Sequence, residues 1–202
     1  MGAVQPVLQF DVEYPEHLSR WKIFFKWLLA IPHLIILNVF QYLIGITTFL
    51  SWFAILFTGR YPRGLWDLSV TYMRWQARVY AYAGLLRDEY PPFATGDYPV
   101  QFQLDYPASL SRWKIFLKWL LAIPSMVVLM LLGIGMFVVS IIAFIAILVT
   151  GRYPKGMFDF VVGVQRWGYR LSAYLYLLTD AYPPFILAQV PSPTAANATF
   201  AA

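Results

Sequence analysis

Residues 27–57, WLLAIPHLIILNVFQYLIGITTFLSWFAILF, contain no Asp, Glu, Lys or Arg, and neither do residues 119–149, WLLAIPSMVVLMLLGIGMFVVSIIAFIAILV. One straight helix of that length measures about 46 Å, against a bilayer hydrocarbon core of about 30 Å. Each stretch is therefore either one long, tilted span beginning near Pro32 and Pro124 or a helical hairpin. The centre favours the hairpin. Asn38, Gln41 and Gly45 interrupt the first stretch, and Gly133 and Gly135 the second. Ser19 and Ser111 suit the helix N-caps, and Pro32 or Pro124 would kink the first arm. A return arm of about 15 residues barely crosses a hydrocarbon core, so a re-entrant hairpin also satisfies the pattern.

The charges around these stretches point the same way. Arg20, Lys22 and Lys26 precede the first and Arg60 and Arg63 follow it; Arg112, Lys114 and Lys118 precede the second and Arg152 and Lys155 follow it. Cations next to membrane spans favour the cytoplasmic side. A hairpin keeps both clusters there, with both modules pointing the same way, whereas a single span strands one cluster outside.

The two stretches belong to a tandem repeat. Residues 10–93 realign on 102–185 at a constant offset of 92 with no gap, and roughly half the positions are identical. The shared blocks are YPxxLSRWKIFxKWLLAIP (14–32 and 106–124), AILxTGRYP (54–62 and 146–154), GxxD (64–67 and 156–159), RWxxR (74–78 and 166–170) and YPPF (90–93 and 182–185). The organisation expected is a first module at 1–93, a linker at 94–99, a second module at 100–185 and a flexible tail at 186–202.

Ahead of each apolar stretch, Phe10, Val12 and Tyr14 alternate with polar residues, as do Val100, Phe102, Leu104 and Tyr106. That period fits a half-buried strand, and a lone strand has unpaired edges, so the two copies are expected to pair with each other or with another chain. Behind each stretch, Asp67, Arg74 and Arg78 share a helical face, as do Asp159, Arg166 and Arg170. Arginine at mid-bilayer costs about 2.5–3.5 kcal/mol, so an amphipathic helix lying in the interface is expected for 64–87 and 156–179. The fold class read from the sequence is a mainly α membrane protein. It has two tandem modules, each a hydrophobic hairpin plus an interfacial helix, with a short β-ribbon at the membrane surface.

Composition supports that class. Of 202 residues, 60% are hydrophobic and 12% charged, with 15 Lys+Arg against 10 Asp+Glu, and the mean hydropathy is +0.60. Soluble domains carry about 25% charged residues, so disorder and a single water-soluble core are both disfavoured. Zero cysteines exclude a disulfide scaffold, a thiolate metal site and a cysteine nucleophile, and leave the redox compartment open. Residues 1–20 lack the apolar core of a secretory signal, and Pro6 stands where myristoylation wants Ser or Thr.

LSRWKIFFKWLLAIPH, TGRYPRGLWD and RDEYPPF resemble one family closely, the bacterial membrane proteins carrying the domain of unknown function 4389. The resemblance covers nearly the whole chain as two copies and implies membrane location, a bacterial source and helical spans. It brings no catalytic residues.

Candidate chemistry therefore rests on the residues alone. Ser19-Arg-Trp-Lys22 and Ser111-Arg-Trp-Lys114 match the S-x-x-K nucleophile motif, but its partner motifs S-D-N and K-T-G are absent. His17 and His33 give way to Ser109 and Ser125 in the second copy, so no metal site and no cofactor are expected. The basic residues border lipid, so no nucleic-acid partner is expected. The Asn197 sequon in the tail is read as incidental. The strongest polar constellation is Asp67 with Arg74 and Arg78, and Asp159 with Arg166 and Arg170. It is read first as a helix that pairs its charges internally or against the loops at Arg60 and Arg152, and second, beside Trp75 or Trp167, as a site for anionic headgroups at the interface. The candidate lipid-headgroup or partner contacts are Arg20, Lys22, Arg60, Asp67, Arg74, Arg78, Arg112, Lys114, Arg152, Asp159, Arg166 and Arg170.

The function expected is a non-enzymatic, multi-pass protein of the bacterial inner membrane. It would organise anionic lipid or a membrane partner complex at the cytoplasmic leaflet, with a homo-oligomer as a further arrangement. The alternative is a small transporter or channel built from the duplicated module.

Overall fold

A computed structural model describes residues 7–93 and 96–190. The linker residues 94–95, the first six residues and the chain from 191 onward, with the Asn197 sequon, lie outside the described residues. The elements are β1 (Gln9–Val12), α1 (Lys22–Thr58), α2 (Arg63–Ala83), β2 (Val100–Gln103), α3 (Lys114–Thr150) and α4 (Lys155–Leu175).

The first correction concerns the apolar stretches. Each is one continuous helix of 37 residues, not a hairpin, and Pro32 and Pro124 lie inside these helices. Of the residues that suggested a turn, Gln41 has partners on other elements. Tyr72 Oη donates to Gln41 Oε1 at 2.6 Å, and Gln41 Nε2 donates to Tyr176 Oη at 2.9 Å, so Gln41 ties α1 to α2 and to the end of α4. A β-carbon at Gly45 or Gly133 would have nothing within 4 Å. Ser19 and Ser111 stand two residues before the cap positions, although Ser19 Oγ accepts a long bond, 3.5 Å, from the Lys22 N–H of the first turn. Trp21 and Trp113 hold the cap positions with no side-chain cap hydrogen bond.

The hairpin of each module lies one element later. Gly59 (φ 69°) and Gly151 (φ 71°) end α1 and α3 in the left-handed region, each N–H donating to the carbonyl four residues back at 2.8 Å. A side chain would be strained there. After R-Y-P the chain returns as α2 or α4, packed on the long helix.

The segments expected as interfacial helices are α2 and α4, and each buries a broad face within the protein. Val70, Met73, Ala77, Val79 and Ala81 of α2, with Phe158, Val162, Tyr169 and Ala173 of α4, are core residues. The structure is layered. The ribbon packs on α2 and α4, and these pack on α1 and α3. Beneath the ribbon, Tyr169 receives the rings of both Phe10 and Phe102, at 4.9 and 5.7 Å.

The expected pairing of the two strands is present. β1 and β2 form an antiparallel ribbon in which Phe10 faces Phe102. These two residues are repeat equivalents, so a pseudo-two-fold axis runs between them. The same exchange recurs along the chain. Leu18 N–H donates to Gly151 O at 2.8 Å and Leu110 N–H to Gly59 O at 2.9 Å. The Tyr14 hydroxyl donates to Tyr153 O and the Tyr106 hydroxyl to Tyr61 O. Phe24 meets Phe144, the equivalent of Trp52, and Trp52 meets Phe116, the equivalent of Phe24. The start of each long helix thus lies against the end of the other, so α1 and α3 are antiparallel. This is the second correction, because hairpins would have pointed both modules the same way.

Candidate functional site

The apolar layer comes first. Only nine residues of α1 are buried, Ile23, Lys26, Ala30, His33, Leu37, Ile44, Thr47, Ser51 and Ile55, and they recur every three to four positions (Leu37 to Ile44 apart) as one narrow stripe. α3 buries six. Most of the remaining surface is exposed and apolar, through Phe24, Leu28, Ile35, Val39, Ile46, Leu50 and Phe57 on α1, with Asn38 and Gln41 as exposed polar residues near mid-length. On α3 it runs through Phe116, Leu120, Val127, Leu131, Phe137, Ile142 and Val149. Fully burying such a side chain is worth about 1.5–3 kcal/mol, and contiguous apolar surface on this scale marks a partner or lipid interface. Both helices are long and apolar enough to cross a membrane.

The cations of the sequence reading divide into two groups. The exposed group stands at the helix ends, and the exchange between modules assembles it. Arg20 lies over Gly151, where a β-carbon would come within 3.6 Å of Nε, which brings the Arg20–Lys22 segment to the end of α3, where Arg152 and Lys155 stand. Arg112 lies likewise over Gly59, at 3.4 Å, which brings the Arg112–Lys114 segment to the end of α1, where Arg60 and Arg63 stand. All eight side chains are exposed. Arg63 also stacks on the Tyr106 ring at 3.8 Å. Each cluster draws two cations from either module, a juxtaposition that no local spacing in the sequence displays.

The second group turns inward. Arg166 donates to Phe10 O at 2.7 Å, to Leu187 O at 2.7 Å and to Asp11 at 2.9 Å. Arg170 donates to Ile186 O and Ala188 O, and Arg78, its equivalent, to Gly96 O at 3.0 Å. Arg74 makes one long bond, 3.4 Å, to Phe102 O. Burial lowers the pKa of Arg78 and Arg166, and burial together with neighbouring Arg166 lowers that of Arg170 to about 10. These arginines clamp the ribbon and the chain beyond YPPF. The expected tail is therefore anchored over residues 186–188. Asp67 is exposed, and Asp159, also exposed, pairs with Lys155 four residues before it.

Sequence reasoning took Lys26 and Lys118 for flanking cations, but both are buried in ion pairs. Lys26 Nζ lies 2.6 Å from Asp88 Oδ1 and donates to Arg87 O, while Lys118 Nζ lies 2.8 Å from Asp180 Oδ1 and donates to Thr179 O. The other carboxylate oxygen takes the backbone N–H of Ser19 or Ser111 at 2.6 Å. The signal was present as Lys and Asp retained at the same offset in both copies. His33 is fully buried, stacked on Phe93 at 4.2 Å with Tyr90 and Trp75 around it. Its counterpart Ser125 shares a hydrogen bond with Tyr182 Oη at 2.9 Å.

Neither a curated relative nor a solved structure matches the chain. The family comparison matches a domain of unknown function, DUF4389, twice, at residues 20–95 and 112–186. The two matches fall on the two α-hairpins with their YPPF segments, and the chain belongs to the DUF4389 family as two tandem copies of its domain.

Proposed function

We propose that this is a non-enzymatic membrane protein of the bacterial inner membrane that gathers anionic lipid, or a partner complex, at the cytoplasmic leaflet. The observation that carries the reading is the pair of exposed four-cation clusters at the ends of an exposed apolar layer. Guanidinium and ammonium groups beside lipid-facing side chains attract acidic headgroups, each worth about 1 kcal/mol near a charged surface. Arginine adds bidentate phosphate geometry. Trp21 and Trp113, both exposed beside the clusters, fit the headgroup level.

The test is native mass spectrometry of detergent-purified protein from membranes containing phosphatidylethanolamine and phosphatidylglycerol. The wild type is expected to retain phosphatidylglycerol selectively. A variant with Arg20, Lys22, Arg60, Arg112, Lys114 and Arg152 changed to Gln is expected to lose that selectivity. Equal retention of both lipids by the wild type overturns the reading.

The antiparallel repeats favour a second reading, because inverted copies also build transporters. It requires a polar path through the apolar layer, and solute flux in proteoliposomes tests it.

A further inference from the structure

We infer that the protein is monotopic, with α1 and α3 lying flat, side by side, within one leaflet instead of crossing the bilayer. The inference rests on the membrane reading above and deepens it by stating how the lipid surface is engaged.

The pseudo-two-fold axis decides between the two orientations. It passes between Phe10 and Phe102 of the ribbon, and because it exchanges antiparallel helices it runs perpendicular to α1 and α3. Equivalent residues lie equally far on either side of it. If the long helices stood upright, the axis would lie in the membrane plane, and the ribbon would sit at the mid-depth of the apolar belt. Its outer face carries Asp11, Gln101 and Gln103, with Glu13 and Asp105 just beyond, all exposed. A two-stranded ribbon also has two open edges. Exposed carboxylates and open sheet edges are not found against lipid at that depth.

With the axis along the membrane normal, the layers fall in order. The ribbon faces water, α2 and α4 lie beneath it, and the exposed apolar arcs of α1 and α3 are deepest. A helix about 10–12 Å across fits within one leaflet's share of a hydrocarbon core of about 30 Å. Length also ceases to matter. Each helix is about 55 Å long, and α1 shows exposed apolar side chains from Phe24 to Phe57. The two cationic clusters, at opposite ends of the long helices, then face the same leaflet. An upright molecule would place four cations on each side, against the positive-inside bias.

The test uses the absence of native cysteine. Leu28, Val39 and Leu50 are exposed, lie on one face of α1 and are spaced by 11 residues. Each is changed to Cys in turn, spin-labelled, and its depth measured by collision with oxygen and a water-soluble nickel chelate. The vesicles are of phosphatidylethanolamine and phosphatidylglycerol. Equal depth at all three is expected. An upright helix would separate neighbouring labels by about 16 Å in depth, with Val39 deepest and Leu28 and Leu50 near opposite surfaces. That result overturns the inference while leaving anionic-lipid binding intact. Failure of the protein to float with the vesicles overturns both. Glu16→Cys and Thr58→Cys give an independent readout at exposed sites near the two ends of α1. Both are expected to react with an impermeant maleimide from the same face of sealed membranes, and reaction from opposite faces overturns the inference.

Discussion

Lys118 and Asp180 form a closed ion pair, Nζ to Oδ1 2.8 Å, with side chains 0% and 3% exposed. The counterpart, Lys26 with Asp88, leaves its carboxylate 18% exposed. Removing one partner of a buried pair strands the other, at about 3–5 kcal/mol. Asp180→Asn is therefore expected to lower thermal stability in detergent more than Asp88→Asn. Lys118→Met combined with Asp180→Leu should recover much of the loss, because no unpaired charge remains. Equal effects at Asp88 and Asp180 would contradict the difference in burial.

Arg166 and Arg74 occupy equivalent positions but do unequal work. Arg166 makes three short bonds, two to backbone carbonyls and one to Asp11, whereas Arg74 makes one at 3.4 Å. Hydrogen bonds to charged groups contribute about 1.5–3 kcal/mol each. Arg166→Gln should destabilise clearly and speed proteolysis after Leu187, while Arg74→Gln should cost about 1 kcal/mol or less. Matched losses in the two variants would mean that the clamp on residues 186–188 contributes little.

Glycine substitutions separate the continuous helix from a hairpin. Gly59 and Gly151 sit at φ 69° and 71°, so Ala at either should cost about 1–2 kcal/mol. Gly45 lies inside α1 with open space around it. Gly45→Ala should be stabilising by about 0.5–1 kcal/mol, since Ala loses less entropy in a helix. Circular-dichroism melts check both, and a strongly destabilising Gly45→Ala would restore a turn at that point.

Glu89 supplies a pH dependence. Its partial burial alone would raise its pKa, but hydrogen bonds from Arg87 and nearby backbone N–H groups prevail and hold it below 4.5. A carboxyl depressed in the folded state contributes stability above its unfolded pKa, and that contribution disappears as pH falls through the folded value. Glu89→Gln should therefore lower the melting temperature at neutral pH and leave it unchanged once the wild-type group is protonated. An offset independent of pH would assign the effect to packing.

Local signals carried a good part of this structure. Period-2 alternation around Phe10 and Phe102 located both strands, and the 92-residue offset exposed the duplication. Neighbouring residues encode such features, because each follows from backbone propensity or the pattern of apolar side chains. The apolar stretches were legible as membrane-scale helices for the same reason. Their continuity was not, because Asn38, Gln41 and Gly45 resemble turn residues until Tyr72 and Tyr176 arrive from other elements to satisfy Gln41.

What the tertiary structure alone decided is the use of each charge. Arg20 and Arg166 look alike along the chain, yet one is exposed at a helix end and the other is 8% exposed beneath the ribbon. That difference arises because each module's N-terminal arm crosses to the other module. The crossing brings together carbonyls and guanidinium groups some 155 residues apart, as in Arg166 with Asp11. Sequence periodicity reports which face of an element is apolar, but it is silent on which distant element covers that face. Here the partner of every arm is the other copy of the repeat.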